Sequence, residues 1–522
     1  MVRKKLTISP VYPLAAFGLG VFYLATAFPT SLSALVMILA IALAMASFFS
    51  ALSAALAITP DASRMRARAA KTAFFASVGI TAGLCCQLPL LSARSPLRTL
   101  CPSNEIISIS AKLISDPIPF GMDRYLAKCR VVACESSKGA RFSASGLCSV
   151  VIPAETVRAS LPGYITGSRA PALLSSGLGT AFDGRFLPYD GIFGECFYAT
   201  SARALKKGIA VTDDPLASQR AVLRLSLARV LYDWGASGGF LFALLTGNRD
   251  YLSPRLENGF KRTGLTHILA LSGTHLSLVA LIACRVGKRA GGKKGAIRLS
   301  IVAMLFFVWF AGVSPSLSRS LLMACALTIL GAAGIPVSVL PVLAFSAFAQ
   351  MLANPGDALS LGFALSYGAL VGIITVGERL RLCMRKYVPD RISSELSSSI
   401  GAQILTSPIL AFSVGCVAPI GIIASCLVSL PSSLYIAIGM SLAFIAAAFP
   451  PASALCGRCL TAVYAPIEST VMFFAGPDPL SIPGLPGKIA MTCVCLLFFA
   501  LVMCFTRRLA DRRTQYGRFA RL

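Results

Sequence analysis

The sequence predicts a polytopic α-helical membrane protein of about 12 spans or re-entrant helices, with an inserted extracytoplasmic β domain that is small and OB-like. Three observations predict it. Of 522 residues, 56% are hydrophobic and only 13% charged, with a mean hydropathy of +0.75, whereas a soluble domain carries about 25% charged residues. Apolar runs long enough to cross a ~30 Å hydrocarbon core, about 20 residues each, recur along the chain. Between residues 101 and 215 those runs stop, and short alternating stretches separated by Gly, Pro and Ser replace them. A disordered polycation is excluded, because the net charge of +27 sits on apolar sequence.

In chain order, the first apolar runs lie near 11–28, 32–58 and 72–91, making residues 1–98 a set of three N-terminal transmembrane helices. The first run lacks a small-residue cleavage site followed by a polar mature domain, so it reads as a span rather than a removed signal. Further runs lie near 264–284, 299–314, 320–335, 337–353, 358–377, 397–417, 421–447, 459–476 and 487–506, which form a membrane domain over 263–506. Pro431 interrupts the 421–447 run and predicts a broken or re-entrant helix there.

Basic clusters orient the spans. Arg3, Lys4 and Lys5 precede the first run, and Arg64, Arg66, Arg68 and Lys71 follow the second. Arg285, Lys288, Arg289, Lys293, Lys294 and Arg298 follow the fourth, and Arg379, Arg381, Arg385, Lys386 and Arg391 the eighth. The tail at 507–522 adds Arg507, Arg508, Arg512, Arg513, Arg518 and Arg521, so these clusters hold 24 of the 48 Lys and Arg. With twelve crossings, the positive-inside rule puts every cluster and both termini in the cytoplasm.

That topology exports residues 101–215. Their alternating stretches, "IISISAKLI", "RYLAKCRVVACE" and "GLCSVVIP", predict a small barrel or sandwich of OB type. With twelve basic and ten acidic residues the segment is nearly neutral. It holds Cys129, Cys134, Cys148 and Cys196, with Cys101 at its edge. The turn in "CESSKGARFSASGLC" brings Cys148 opposite Cys134 or Cys129, so either one disulfide or half-buried thiols is expected. Residues 216–262 read as amphipathic helices at the membrane surface, with Arg220, Arg224 and Arg229 on roughly one side.

No cofactor or metal site is expected. His267 and His275 are the two histidines; eight residues apart on a helix, they are separated by about 12 Å and roughly 80°, unsuited to one zinc. Cys456 and Cys459 read as ordinary span-end cysteines, and no phosphate-cradling P-loop occurs. The informative feature is polar density inside apolar runs. Thr266, His267, Ser272, Gly273, Thr274, His275 and Ser277 share one predicted helix. Arg319, Asp357, Ser366, Tyr367, Gln403, Thr406 and Ser407 punctuate later ones. Polar groups in lipid face a bundle interior or a water-filled cavity; they act either as helix–helix glue or as the lining of a hydrophilic path.

The stretches "ALLTGNR", "LENGFKRTGLTHILALSGTHLSLV", "SPSLSRSLLMA", "NPGDALSLGFALSYGALVG" and "GAQILTSPILAFSVGCVAPIGIIASCLVSLP" occur in that order over 240–450. This order and wording resemble the ComEC family of competence proteins. The resemblance implies a bacterial inner-membrane channel that internalises single-stranded DNA during natural transformation, with no catalytic residues of its own. It places His267, Ser272, Gly273 and His275 in the central channel motif and Asn248 and Arg249 just before it. Arg319, Gly362, Phe363, Ser366, Tyr367, Gln403, Thr406 and Pro408 match the later blocks. Gly-Thr-His at 273–275 departs from the family, which usually has a bulky apolar residue before that histidine. The chain ends sixteen residues after its last run without a histidine-rich motif. It thus resembles the short form lacking a metallo-β-lactamase-like domain, and strand degradation is expected from another protein. The expected partners are single-stranded DNA, membrane lipid, a cytoplasmic helicase-like ATPase and an extracytoplasmic DNA receptor.

A single strand needs cations for phosphates and aromatic faces for bases. In the exported segment Lys112, Arg124, Tyr125, Lys128, Arg130, Arg141 and Phe142 offer both, although near-neutral charge equally suits a solvated sheet face. A transporter of a lipid-linked or small anionic substrate, and a structural scaffold, stay open as alternatives at this level.

Overall fold

The computed structural model describes residues 11–27, much of 72–86, most of 106–153, 177–188, 195–203, 205–206 and 209–210, and nearly all of 214–519; for 141–145, 185–188, the described positions of 195–210, and 505–519 it gives the backbone alone. The run at 32–58, Cys101, and the basic residues at 3–5 and 64–71 lie outside the described residues.

The β segment is a barrel. Its strands are β1 (Ile106–Leu113), β2 (Ile118–Pro119), β3 (Arg124–Ser136), β4 (Arg141–Pro153), β5 (Gly179–Pro188) and β6 (Glu195–Arg203). Strand β1 pairs antiparallel with both β3 and β5; β5 pairs with β6, β6 runs parallel to β4, and β4 pairs with β3. Following these pairings returns to β1, so the five long strands close on themselves and β2 hangs on β3. Period-two alternation drives the closure. Ile109, Ala111 and Leu113 of β1 and Tyr125, Ala127, Cys129 and Val131 of β3 point inward, while Lys112, Lys128 and Arg130 point out. Closure also leaves no long strand edge unpaired.

Cys129 stands directly opposite Cys148 across β3–β4. Both are buried, as is Cys134, and no disulfide joins them. Of the two alternatives the sequence left open, the structure has the thiols: at these inward positions each sulfur packs as a small hydrophobe in the barrel interior.

The rest is helical. Helix α1 is Val11–Ala27, and helical residues follow within 72–86. After the barrel come α2 (Pro215–Tyr232), α3 (Gly235–Thr246), α4 (Pro254–Arg262), α5 (Thr266–Leu269), α6 (Gly273–Ala311), α7 (Pro315–Ala332), α8 (Val339–Ala353) and α9 (Pro355–Ala358). Then follow α10 (Leu361–Gly372), a π-helical turn at Ile373–Gly377, α11 (Glu378–Met384), α12 (Asp390–Ser413), α13 (Gly421–Ala448), α14 (Ser453–Phe474) and α15 (Gly484–Phe519). Among the described residues five helices are long and apolar enough to cross a membrane: Gly273–Ala311, Pro315–Ala332, Leu361–Met384, Gly421–Ala448 and Gly484–Cys504. The first is folded back on itself. Gly291 and Gly292 leave helical geometry, Gly292 at φ 59°. Across the fold Ser300 Oγ donates to the Ala280 carbonyl at 3.1 Å. A Cβ on Gly287 would lie 2.5 Å from the Gly295 carbonyl oxygen, so only glycine permits so close an approach. The cluster Arg285–Arg298 thus forms the tip of a helical hairpin.

Three expectations are corrected. Residues 216–262 do not all lie at the surface: α3 is buried almost throughout, with Phe240, Leu241 and Leu244 at 0% exposure in the centre of the bundle. Its short apolar run is flanked by charged and turn residues, which hid it. The buried stripe of α2 contains Arg220 and Arg224, whereas Arg229 faces outward, so the three arginines do not share a side. The run around Pro431 is one continuous helix, α13.

Helix α2 ties the two halves together. Asp214 caps it by accepting from the Leu216 and Ala217 amides at 3.1 and 3.3 Å. One apolar stripe then serves two cores: Ala217 and Ala221 plug the barrel, while Leu225, Ala228 and Leu231 join the bundle. Between them, buried Arg224 donates to Asp116 of the barrel at 2.7 Å and to the Thr246 carbonyl at 2.9 Å. It also reaches the Ala311 carbonyl at 3.4 Å. Tyr125 of β3 donates to Asp250 at 2.5 Å, adding a second bridge.

Candidate functional site

The polar segment expected as one helix over 264–284 is broken. Gly264 takes φ 71°, which favours glycine. Helix α5 lasts a single turn, and Ala270 and Ser272 are extended before α6 begins at Gly273. Ser272 and His275 form a reciprocal cap. His275 Nδ1 accepts from the Ser272 backbone N–H at 3.1 Å, and Ser272 Oγ lies 2.9 Å from the same nitrogen. An Nδ1 that accepts from an amide carries no proton, so the ring hydrogen is assigned to Nε2. His275 is buried, and its Nε2 has no partner among the described residues.

A cation stands beside this break. A Cβ on Gly273 would touch Ser320 Oγ at 3.0 Å, which seats α7 against the N-terminus of α6. Neighbouring Arg319 donates to the Ser366 carbonyl of α10 at 2.6 Å and to Ser320 Oγ at 3.3 Å, with its guanidinium 5.9 Å from the Tyr367 ring centroid. Arg319 forms no ion pair with a described carboxylate, and its Nε and Ser366 Oγ are buried without partners. Tyr367 donates to Ser346 and Gln350 of α8, at 3.2 and 3.1 Å. Gln350 continues to the Pro315 carbonyl and to Asp357, at 3.1 and 3.3 Å. Phe363 packs against Tyr367 with centroids 4.4 Å apart and the ring planes tilted by 42°, and Gly362 faces Pro315. The break, Arg319 and the Ser366–Tyr367 pair thus form one cluster at the end of α6 opposite the basic hairpin tip. A helix N-terminus, a guanidinium with no described ion-pair partner and unsatisfied donors attract an anion, while Asp357 is reached only through Tyr367 and Gln350.

Other sequence-predicted positions lie apart from that cluster. His267 is exposed, with Nδ1 3.3 Å from the Gly264 carbonyl. Gln403 donates to the Ala418 carbonyl at 2.8 Å and Thr406 to the Ala402 carbonyl at 3.0 Å, so both side chains are committed to backbone. Pro408 lies inside α12. Asn248 accepts from the Asp250 amide at 2.8 Å, shaping the loop that receives Tyr125, and Arg249 pairs with Glu257 at 3.7 Å. Sequence reasoning missed Gln350 as a site residue; its signal is an amide inside the otherwise apolar run 337–353.

On the barrel, Lys112, Arg124, Lys128 and Arg130 are exposed. Tyr125 is not a stacking face: its ring is buried at 3% exposure because its strand position points inward. Arg141 and Phe142 lie on β4, opposite Glu135 and Cys134, with side chains outside the described residues. The described His, Cys, Asp and Glu residues form no group of three that could hold a metal ion.

The sequence model of the competence protein family matches residues 244–508, which is half of the chain. The chain belongs to this family. Competence protein ComA of Neisseria gonorrhoeae is 29% identical over 145 residues, covering 26% of this chain and 21% of that protein. ComE operon protein 3 of Bacillus subtilis (strain 168) is 25% identical over 179 residues, covering 34% of this chain and 22% of that protein. The chain thus spans about a fifth of the length of each of these relatives. No solved structure matches it. The matched range contains the helix break, Arg319 and the Ser366–Tyr367 pair, so the cluster lies within the family's own region.

Proposed function

We propose that this competence-family protein carries single-stranded DNA across the bacterial cytoplasmic membrane during natural transformation. One observation carries the reading: the broken helix at 270–272, with Arg319 beside it, collects hydrogen-bond donors inside the bundle, and Arg319 has no ion-pair partner among the described residues. Discontinuous membrane helices use such N-termini to meet anionic groups of a substrate, and a phosphodiester backbone presents one anion per nucleotide. The five-stranded closed barrel supports the OB type, a fold that binds oligonucleotides. Its Asp116 and Tyr125 bridges hold it at the α6 end that carries the cluster. By the positive-inside rule the hairpin tip at Arg285–Arg298 is cytoplasmic and the barrel extracytoplasmic. A strand would then pass the outer cations Lys112, Arg124, Lys128 and Arg130 before reaching Arg319. The chain acts as a channel, driven by a cytoplasmic helicase-like ATPase and fed by an extracytoplasmic DNA receptor.

Deleting the gene in its own host, with wild-type complementation, tests this. The reading requires loss of transformation and accumulation of labelled DNA outside the cytoplasm. Normal DNA uptake accompanied by an envelope defect would refute it and favour a transporter of a lipid-linked or small anionic substrate.

A further inference from the structure

A cavity of about 450 Å3 lies between the barrel, α2 and the second half of α6. Its polar wall holds Lys112, Arg130, Arg220 and Asp214, and its apolar wall includes Leu216 and Trp309. None of these is used in the cluster around Arg319. Lys112 pairs with Asp214 at 3.2 Å, while Arg130 forms no ion pair with a described residue. Among the described residues, then, Arg130 is a cation of this concave site that no carboxylate neutralises, while Arg224 and Asp116 pair with each other close by.

Its height in the molecule is fixed independently. Trp309 stands in the last turn of α6, two residues before Ala311, whose carbonyl Arg224 reaches. It packs with Phe306, centroids 5.5 Å apart, and Phe306 in turn stacks with Phe310. Aromatic clusters at the end of a membrane helix sit at the headgroup level. Leu216 of the cavity wall is 61% exposed, and Phe306, which packs with the lining Trp309, is 55% exposed, so apolar surface lies beside the cations. An aqueous anion gains nothing from that rim, whereas a phospholipid matches it with acyl chains.

We infer that this cavity is a binding site for the phosphate headgroup of an anionic phospholipid, clamping barrel and bundle together at the membrane surface. Arg130 receives the phosphate, Lys112 stays shared with Asp214, and Trp309 and Leu216 border the acyl chains. The assignment does not rest on the cluster around Arg319, but it claims for a lipid two cations, Lys112 and Arg130, that the translocation reading sets along the strand's outer path, and competition by an oligothymidylate separates the two.

The test uses the full-length detergent-solubilised protein titrated with dihexanoyl phosphatidylglycerol, followed by tryptophan emission. The chain has two tryptophans, and Trp234 is buried with its indole N–H donating to Ser453 at 3.0 Å, which leaves Trp309 as the reporter. A saturable change is expected that is absent in Trp309→Phe. In the double variant Lys112→Gln/Arg130→Gln, both positions exposed, apparent affinity should fall roughly tenfold or more. Wild-type elution on size exclusion guards against misfolding of that variant. Four outcomes would overturn the assignment. Dihexanoyl phosphatidylcholine could bind as tightly, inorganic phosphate could match the lipid, or a folded double variant could keep full affinity. The fourth is displacement of the lipid by an oligothymidylate, which would assign the cavity to single-stranded DNA instead.

Discussion

His275 does two separable jobs. Its Nδ1 closes the cap on Ser272, and its Nε2–H remains buried without a described partner. His275→Asn keeps an acceptor near the Nδ1 position and removes the Nε2 donor. The protein should therefore accumulate normally in membranes while transformation falls roughly tenfold or more, the size of a hydrogen bond to an anion. His275→Ala loses the cap as well, about 1 kcal/mol of helix stability, and should also lower membrane accumulation. Arg319→Gln should abolish transformation at normal protein level, because no described neighbouring cation replaces it. Equal transformation in Arg319→Gln and wild type would remove the guanidinium from the path. The polar residues of the cluster were legible as residue types, since His, Arg and Tyr inside apolar runs are costly unless they are used. Their geometry was not. Leu271-Ser272-Gly273 contains no proline, and a Ser-x-x-His cap differs from the usual Ser-x-x-Glu pattern, so nothing local announced the break.

At the scale of elements, close helix crossings depend on glycine. A Cβ on Gly372 would lie 2.0 Å from the Gly401 carbonyl oxygen, where α10 crosses α12 beside the π-helical turn. Gly372→Ala should therefore strip the protein from membranes on an immunoblot. Gly331→Ala, with nothing within 4 Å, should leave its level unchanged or slightly raised, consistent with about 0.5–1 kcal/mol of helix stabilisation. The barrel's seat is tested by Asp116→Asn. The Arg224 side chain is 3% exposed and that of Asp116 27%, so the variant strands a buried charge next to a partly solvated partner. A loss of up to about 3 kcal/mol follows, less than for a fully buried pair. Limited proteolysis should then release a barrel fragment faster than from wild type. Period-two alternation made β1 and β3 readable from sequence, but the parallel β4–β6 pairing joins strands far apart in the chain and carries no local signal. The hairpin in α6 was readable, because Gly291-Gly292 lies between two basic groups that interrupt the apolar pattern. Helix α3 escaped notice because its 12 residues are too few to read as a span and are bounded by Trp234 and Gly247.

At the scale of the whole molecule, charge distribution and packing agree on a polarity. The first half of α6 runs from the cap at Ser272 to the basic tip, about 25 Å at helical rise. The Arg319 cluster and the barrel lie together at the other end. Single-cysteine labelling should find position 293 reactive only after the membrane is permeabilised and position 112 reactive from outside; the reverse pattern would invert the assigned topology. The net charge of +27 is by itself no argument for nucleic acid, since half of the Lys and Arg sit in the basic clusters that flank the apolar runs and the barrel segment is close to neutral. The central claim is that an incoming strand passes the break beside Arg319. The most direct measurement places a photo-crosslinking amino acid at exposed position 274 of the full-length protein and illuminates competent cells during uptake of labelled DNA. The account predicts a covalent adduct between the protein and single-stranded DNA, reduced when Arg319→Gln is added. DNA that enters the cytoplasm at the wild-type rate without forming that adduct would contradict it.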